Sequence, residues 1–167
     1  GLTPDTSAAV TVTAGVATQI AINAGNGQSA AVNTAVATPP SAIVRDVSNN
    51  PVAGVSVSFA VASGGGSILP VTPVVSNASG IAALTSWTMG TVAGPNSITA
   101  ASGTLIGSPV TFTATGTAGA ATQLQVATQP SPTAQSGVAF AVQPAIRLAD
   151  ALGNPVATSA PVRKPGP

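Results

Sequence analysis

Apolar and polar residues alternate along this chain in short runs. Val55, Val57 and Phe59 share one parity and Ser56 and Ser58 the other, the period of two that marks a strand with one buried face. Val110, Phe112 and Ala114 alternate in the same way with Thr111, Thr113 and Thr115. Clusters of Gly, Pro, Asn and Asp separate the runs, and each of these residues favours a turn for its own backbone or hydrogen-bonding reason. Strands are predicted at about 18–23, 30–36, 42–46, 55–61, 67–71, 73–76, 81–89, 96–101 and 109–117. Short strands with turn signals at intervals of about ten residues predict an all-β sandwich. One run breaks parity, because Ala82 and Leu84 fit one face and Trp87 and Met89 the other. A bulge near Thr85-Ser86 would bring all four to the same side. The predicted core is Val44, Val57, Phe59, Leu84, Trp87, Val110 and Phe112.

The link from Asp46 to Gly54 contains Asn49-Asn50-Pro51, where Asp and Asn side chains bond nearby backbone and Pro fixes φ. Its phrasing returns later: Asp46, Asn50 and Pro51 correspond to Asp150, Asn154 and Pro155, 104 residues on. Ala17-Thr18-Gln19-Ile20 corresponds to Ala121-Thr122-Gln123-Leu124 at the same offset. A constant offset at two separate anchors indicates a tandem repeat, and one this long is a whole domain rather than a solenoid rung. These six turn residues are predicted to organise their loops. The second copy also shows which face of the first is buried. Ile43 aligns with Arg147 and so points outward, whereas Ala42 and Val44 point in.

The pattern carried by Val44, Asp46, Asn50, Pro51, Val52, Gly54, Val57 and Phe59, followed by Ser76 to Ala82, resembles the bacterial immunoglobulin-like repeats of the invasin and intimin type. The resemblance covers roughly 17–117. It implies an immunoglobulin-like β-sandwich that serves as a spacer or adhesive unit, located extracellularly or at the cell surface, with no active site and no cofactor. The division it suggests is an N-terminal piece at 1–16, a complete repeat at 17–118 and a partial second repeat at 119–167 that ends in a Pro-rich tail.

Gly (18) and Pro (15) are abundant, which raises disorder as a reading. Disordered chains usually carry high net charge and few β-branched residues; this one has net charge +1 and is dense in Val, Thr and Ile. No stretch approaches the roughly 20 apolar residues of a membrane helix. No charged segment followed by an apolar one opens the chain, so a signal peptide is absent, removed or upstream. Cys, His and Glu are missing, and the carboxylates are Asp5, Asp46 and Asp150. That inventory has no His base, no Cys nucleophile and no close carboxylate pair, so no catalytic residue is predicted. Four cations and 2% aromatics make no phosphate-binding stripe, which excludes a nucleic-acid surface. A cell-surface carbohydrate- or receptor-binding adhesin module is the alternative function, and the scarcity of aromatics and charge argues against it.

The partial repeat is predicted to have strands at 137–142 and 145–150 and none of the closing strands. Fewer than about 50 residues without disulfide or metal rarely bury a stable core. The N-terminal piece, with Val10 and Val12, is shaped like the last strand of a preceding repeat. The expected partners are therefore the chain itself, polymerising head-to-tail by donor-strand sharing, or neighbouring immunoglobulin-like repeats of a longer chain.

Calcium sites draw several oxygens, usually from more than one carboxylate, and each repeat offers one Asp in its turn. Stability is therefore expected to be independent of calcium. A melting temperature that fell by many degrees in EDTA and recovered on adding calcium would contradict this.

Overall fold

The computed structural model describes residues 13–157. Val10 and Val12 of the candidate donor strand, and the Pro-rich tail, lie outside the described residues. The fold is all-β, with β1 (Ala17–Ala24), β2 (Gln28–Ala31), β3 (Ser41–Asp46), β4 (Ser56–Ser63), β5 (Ser67–Leu69) and β6 (Val74–Val75) leading the chain. β7 (Ile81–Ala83), β8 (Ser86–Thr88), β9 (Gly94–Ala101), β10 (Val110–Thr117), β11 (Gln123–Thr128) and β12 (Ala145–Ala149) follow.

Strands β1 to β10 form a β-sandwich. One main sheet has the order β1-β3-β7, the other has the order β2-β10-β9-β4-β6, and β5 and β8 pair as a separate two-stranded sheet. All neighbours are antiparallel except β2, which lies parallel to β10 along Ala114–Thr117. The strand alternation decides which side chains meet between the sheets. Ala42 and Val44 of β3 face Val57 and Phe59 of β4, Ile98 and Ala100 of β9, and Phe112 of β10 in one cluster. Thr111, Thr113 and Thr115 take the solvent side of β10. Trp87, Phe112, Ile98, Val44 and Val57 are fully buried, and each contributes about 1.5–3 kcal/mol relative to exposure. The Phe59 and Phe112 rings pack with centroids 6.4 Å apart. Leu84 is buried as well, whereas Val110, the first residue of β10, is half-buried and packs on the rim of the cluster.

The parity break at 81–89 has a different cause from the expected bulge. β7 ends at Ala83 on the β3 edge, and β8 pairs with β5. Between them Leu84 N–H donates to Pro40 O and Thr85 N–H to Leu69 O. The chain changes sheets there, which resets the alternation and lets Ala82, Leu84, Trp87 and Met89 all be buried.

A second correction concerns the strands expected at 30–36 and 137–142. β2 ends at Ala31, and Asn33 (φ 58°) then turns the chain, with Thr34 N–H donating to Ala31 O. In the second copy Gly137 (φ 77°) and the bond from Val138 N–H to Gln135 O repeat that turn, and 137–142 holds no strand. A left-handed residue ends strand geometry where it stands. The stretch 132–135, which corresponds to β2, is also not a strand. β2 owes its pairing to β10, and among the described residues the stretch 132–135 has no strand to pair with.

Phe59→Ala should destabilise the sandwich by about 3–5 kcal/mol, since it removes a large side chain from a close-packed core. Denaturant melts provide the check, and a loss under about 1 kcal/mol would show that Phe59 is not a core residue.

Candidate functional site

The two Asp-Asn-Pro turns are built alike, atom for atom. Asp46 ends β3 and turns its carboxylate back over its own loop. Its Oδ1 accepts from Ser48 N–H and Asn50 N–H, both at 2.9 Å, and its Oδ2 accepts from the Asn50 side-chain amide at 3.0 Å. Asn49 takes the left-handed conformation (φ 69°) that Asn tolerates better than other side chains. Pro51, which has no N–H, costs nothing here. The local ladder uses Asp46 N–H to Asn50 O and Val52 N–H to Val44 O instead.

The same Oδ2 also accepts, at 2.8 Å, the N–H of Gly15, which precedes β1. A turn at the end of β3 thus holds the segment that leads into the repeat. Gln19 reinforces the contact by donating to Asp46 O at 3.1 Å.

Every one of these bonds recurs 104 residues on. Asp150 Oδ1 accepts from Leu152 N–H (2.9 Å) and Asn154 N–H (2.8 Å), and its Oδ2 accepts from the Asn154 amide (3.0 Å) and Gly119 N–H (2.9 Å). Gln123 donates to Asp150 O, and Gly153 (φ 87°) stands where Asn49 does. Around Pro155 the ladder again uses the residues on either side. β11 and β12 pair in the register of β1 and β3, with Leu124 opposite Leu148 as Ile20 is opposite Val44.

The second turn does one thing more. Asn154 is 5% exposed. Its Oδ1 accepts from Ala93 N–H at 2.7 Å and its Nδ2 donates to Thr91 O at 2.9 Å. The Thr91–Ala93 loop joins β8 to β9, so one side chain bonds both its own turn and the far end of the first sandwich. The role of Asn154 as a bridge, and of Gly15 and Gly119 as anchors, is not visible in the spacing. The repeat places these residues at matching positions without showing what they touch.

Asp46 and Asp150 are both held below the usual aspartate value of 3.8. For Asp46 the largest cause is the Asn50 amide, followed by Gly15 N–H. For Asp150 burial works most strongly against the ion, but the Asn154 amide and the N–H groups of Gly119, Asn154 and Leu152 outweigh it. Carboxylates whose lone pairs are spent on four donors make poor bases or metal ligands. Among the described residues no three His, Cys, Asp or Glu side chains come together.

No protein-family model matches the chain, and no curated protein matches it in sequence. Among solved structures it is similar to domains 4–9 of the surface layer protein SbsC, at 20% identity and a TM-score of 0.45. The match covers 85% of this chain and 21% of that one, so it spans about a fifth of the solved domains 4–9.

The turns predict a pH dependence of definite sign. A folded-state pKa below the unfolded value stabilises the fold above the unfolded pKa, and the stabilisation is lost as pH falls through the folded one. Stability should therefore be level from neutral pH down to about 4 and drop below it. An Asp46→Asn, Asp150→Asn double variant should start lower and lose less on acidification. Equal acid sensitivity in denaturant melts of the two proteins would assign the effect elsewhere.

Proposed function

We infer that this chain is a non-catalytic structural module of an extracellular fibre or adhesin stalk, an immunoglobulin-like sandwich made to stand in series. The observation that carries this reading is the repeated turn. In both copies an Asp side chain fastens the entry segment, and in the second copy Asn154 also locks that turn onto the preceding sandwich. Such a junction fixes one module against the next, which suits a spacer. The strand order and the resemblance to invasin and intimin repeats support the immunoglobulin-like description and a place at the cell surface. The division into 1–16, 17–118 and 119–167 follows the same repeat. Among the described residues no cluster of His, Cys, Asp or Glu competes with this reading.

The C-terminal copy supports a finer one. Leu124 is 66% and Ile146 68% exposed, while their counterparts Ile20 and Ala42 are buried in the complete sandwich. Among the described residues the stretch corresponding to β2 has no strand beside it. In our reading the N-terminal segment of one subunit, including Val10 and Val12, supplies a strand to the C-terminal copy in the preceding subunit. The contact is then head-to-tail and, unless it closes into a ring, gives a filament.

Electron microscopy of the concentrated full chain should show filaments, and deletion of residues 1–12 should abolish them. That deletion leaves the Gly15–Asp46 bond in place. A full chain that stays monomeric, or a shortened chain that forms the same filaments, excludes strand sharing by this N-terminus.

A further inference from the structure

The two turns differ in one respect. Asn154 is buried because the Thr91–Ala93 loop covers it. Asn50, 104 residues earlier, makes the same bonds to Asp46 but is exposed, and its amide oxygen has no partner among the described residues. Everything around it is already in the arrangement found at the filled junction. Gly15 is held on Asp46 as Gly119 is on Asp150, and Asn49 has the left-handed backbone of Gly153. One end of the sandwich therefore carries a preformed copy of the surface that is occupied at the other end.

We propose that the Asp46–Asn50 turn is a docking site for the β8–β9 loop of another repeat of this kind, placed directly ahead of Gly15. The occupant presents a backbone carbonyl to Asn50 Nδ2 and, two residues later, an N–H to Asn50 Oδ1, as Thr91 and Ala93 do for Asn154. The filled junction fixes the order: β10 runs through Thr117 and Ala118 into Gly119, so the occupant's last strand must run into Gly15. A separate second copy does not qualify, because its Thr91–Ala93 loop is already bonded to its own Asn154. The proposal rests on the structural-module reading but not on strand sharing, since the occupant brings a loop and not a missing strand. The cost of ordering is small. The Asp46 carboxylate already fixes the turn, and both partner groups are backbone.

The test uses the full chain with residues 15–118 duplicated in tandem, so that a second Asn50 meets the first unit's Thr91–Ala93 loop. Hydrogen exchange followed by NMR should show the leading unit's Ala93 amide protected to the degree seen at the natural junction. Asn50→Ala in the second unit should reduce that protection by about tenfold, the scale of one lost hydrogen bond. If that variant unfolds its turn, Ala93→Pro in the leading unit removes the donor without touching Asp46. Small-angle scattering should then show the two units losing their fixed orientation. A leading Ala93 amide that exchanges freely in the duplicated chain overturns the proposal, as does an Ala93→Pro chain that stays as rigid as its parent. Neither readout depends on filaments, so a failure of strand sharing leaves this result intact.

Discussion

A single carboxylate accepting four N–H bonds is the contact on which the ends of this molecule depend. Asp46 and Asp150 each close their own loop with two backbone N–H groups and an Asn amide, then use the last acceptor position on a glycine 31 residues back. Hydrogen bonds to an ionised acceptor are roughly twice as strong as neutral ones. Here they are arranged so that the loop, the strand before it and the incoming linker are fixed together. Replacing the glycine anchor would cost little in itself, because its N–H is common to other residues. The acceptor has no such substitute, since only a short carboxylate reaches both its own loop and the linker.

The sandwich between these ends is held by ordinary means. Two sheets bring alternating apolar side chains together, and Trp87, Phe112 and Met89 supply the bulk of the centre. Gly80 shows how closely the turns fit against the strands. It has a φ of 72°, and a Cβ there would lie 2.6 Å from Val44 O. That carbonyl is committed to Val52, and Val44 N–H in turn donates to Gly80 O. The turn between β6 and β7 and the Asp46 loop are therefore both bonded to Val44 of β3, which couples the junction to the core.

The C-terminal copy shows what the junction alone sustains. β11 and β12 keep the register, the turn and the linker contact of their counterparts, because all of these are satisfied by local bonds and by the pair itself. Among the described residues no second sheet packs on them. Leu124, Val126 and Ile146 are exposed for that reason, and β2 has no strand-forming counterpart, since a parallel edge strand has no bonds of its own to fall back on. The β11–β12 pair thus separates local from non-local contributions within one chain.

The alternation of Val57 and Phe59 with Ser56 and Ser58, and of Phe112 with its threonines, was enough by itself to define strands, their buried faces and an all-β sandwich. The offset of 104 residues defined the repeat and the importance of Asp46, Asn50 and Pro51, because turn chemistry is local and is written in residue type. Other features depended on contacts between distant segments. The parity break at Leu84 and Trp87 looks the same in sequence for a bulge and for a change of sheet, and only the positions of β3 and β5 distinguish them. Asn33 and Gly137 turn the chain within runs that read as strands, since a single left-handed residue leaves hydrophobic spacing unaltered. Asn50 and Asn154 are the same residue in the same motif. One is exposed and the other bridges two repeats, and that difference comes entirely from whether a β8–β9 loop lies against it.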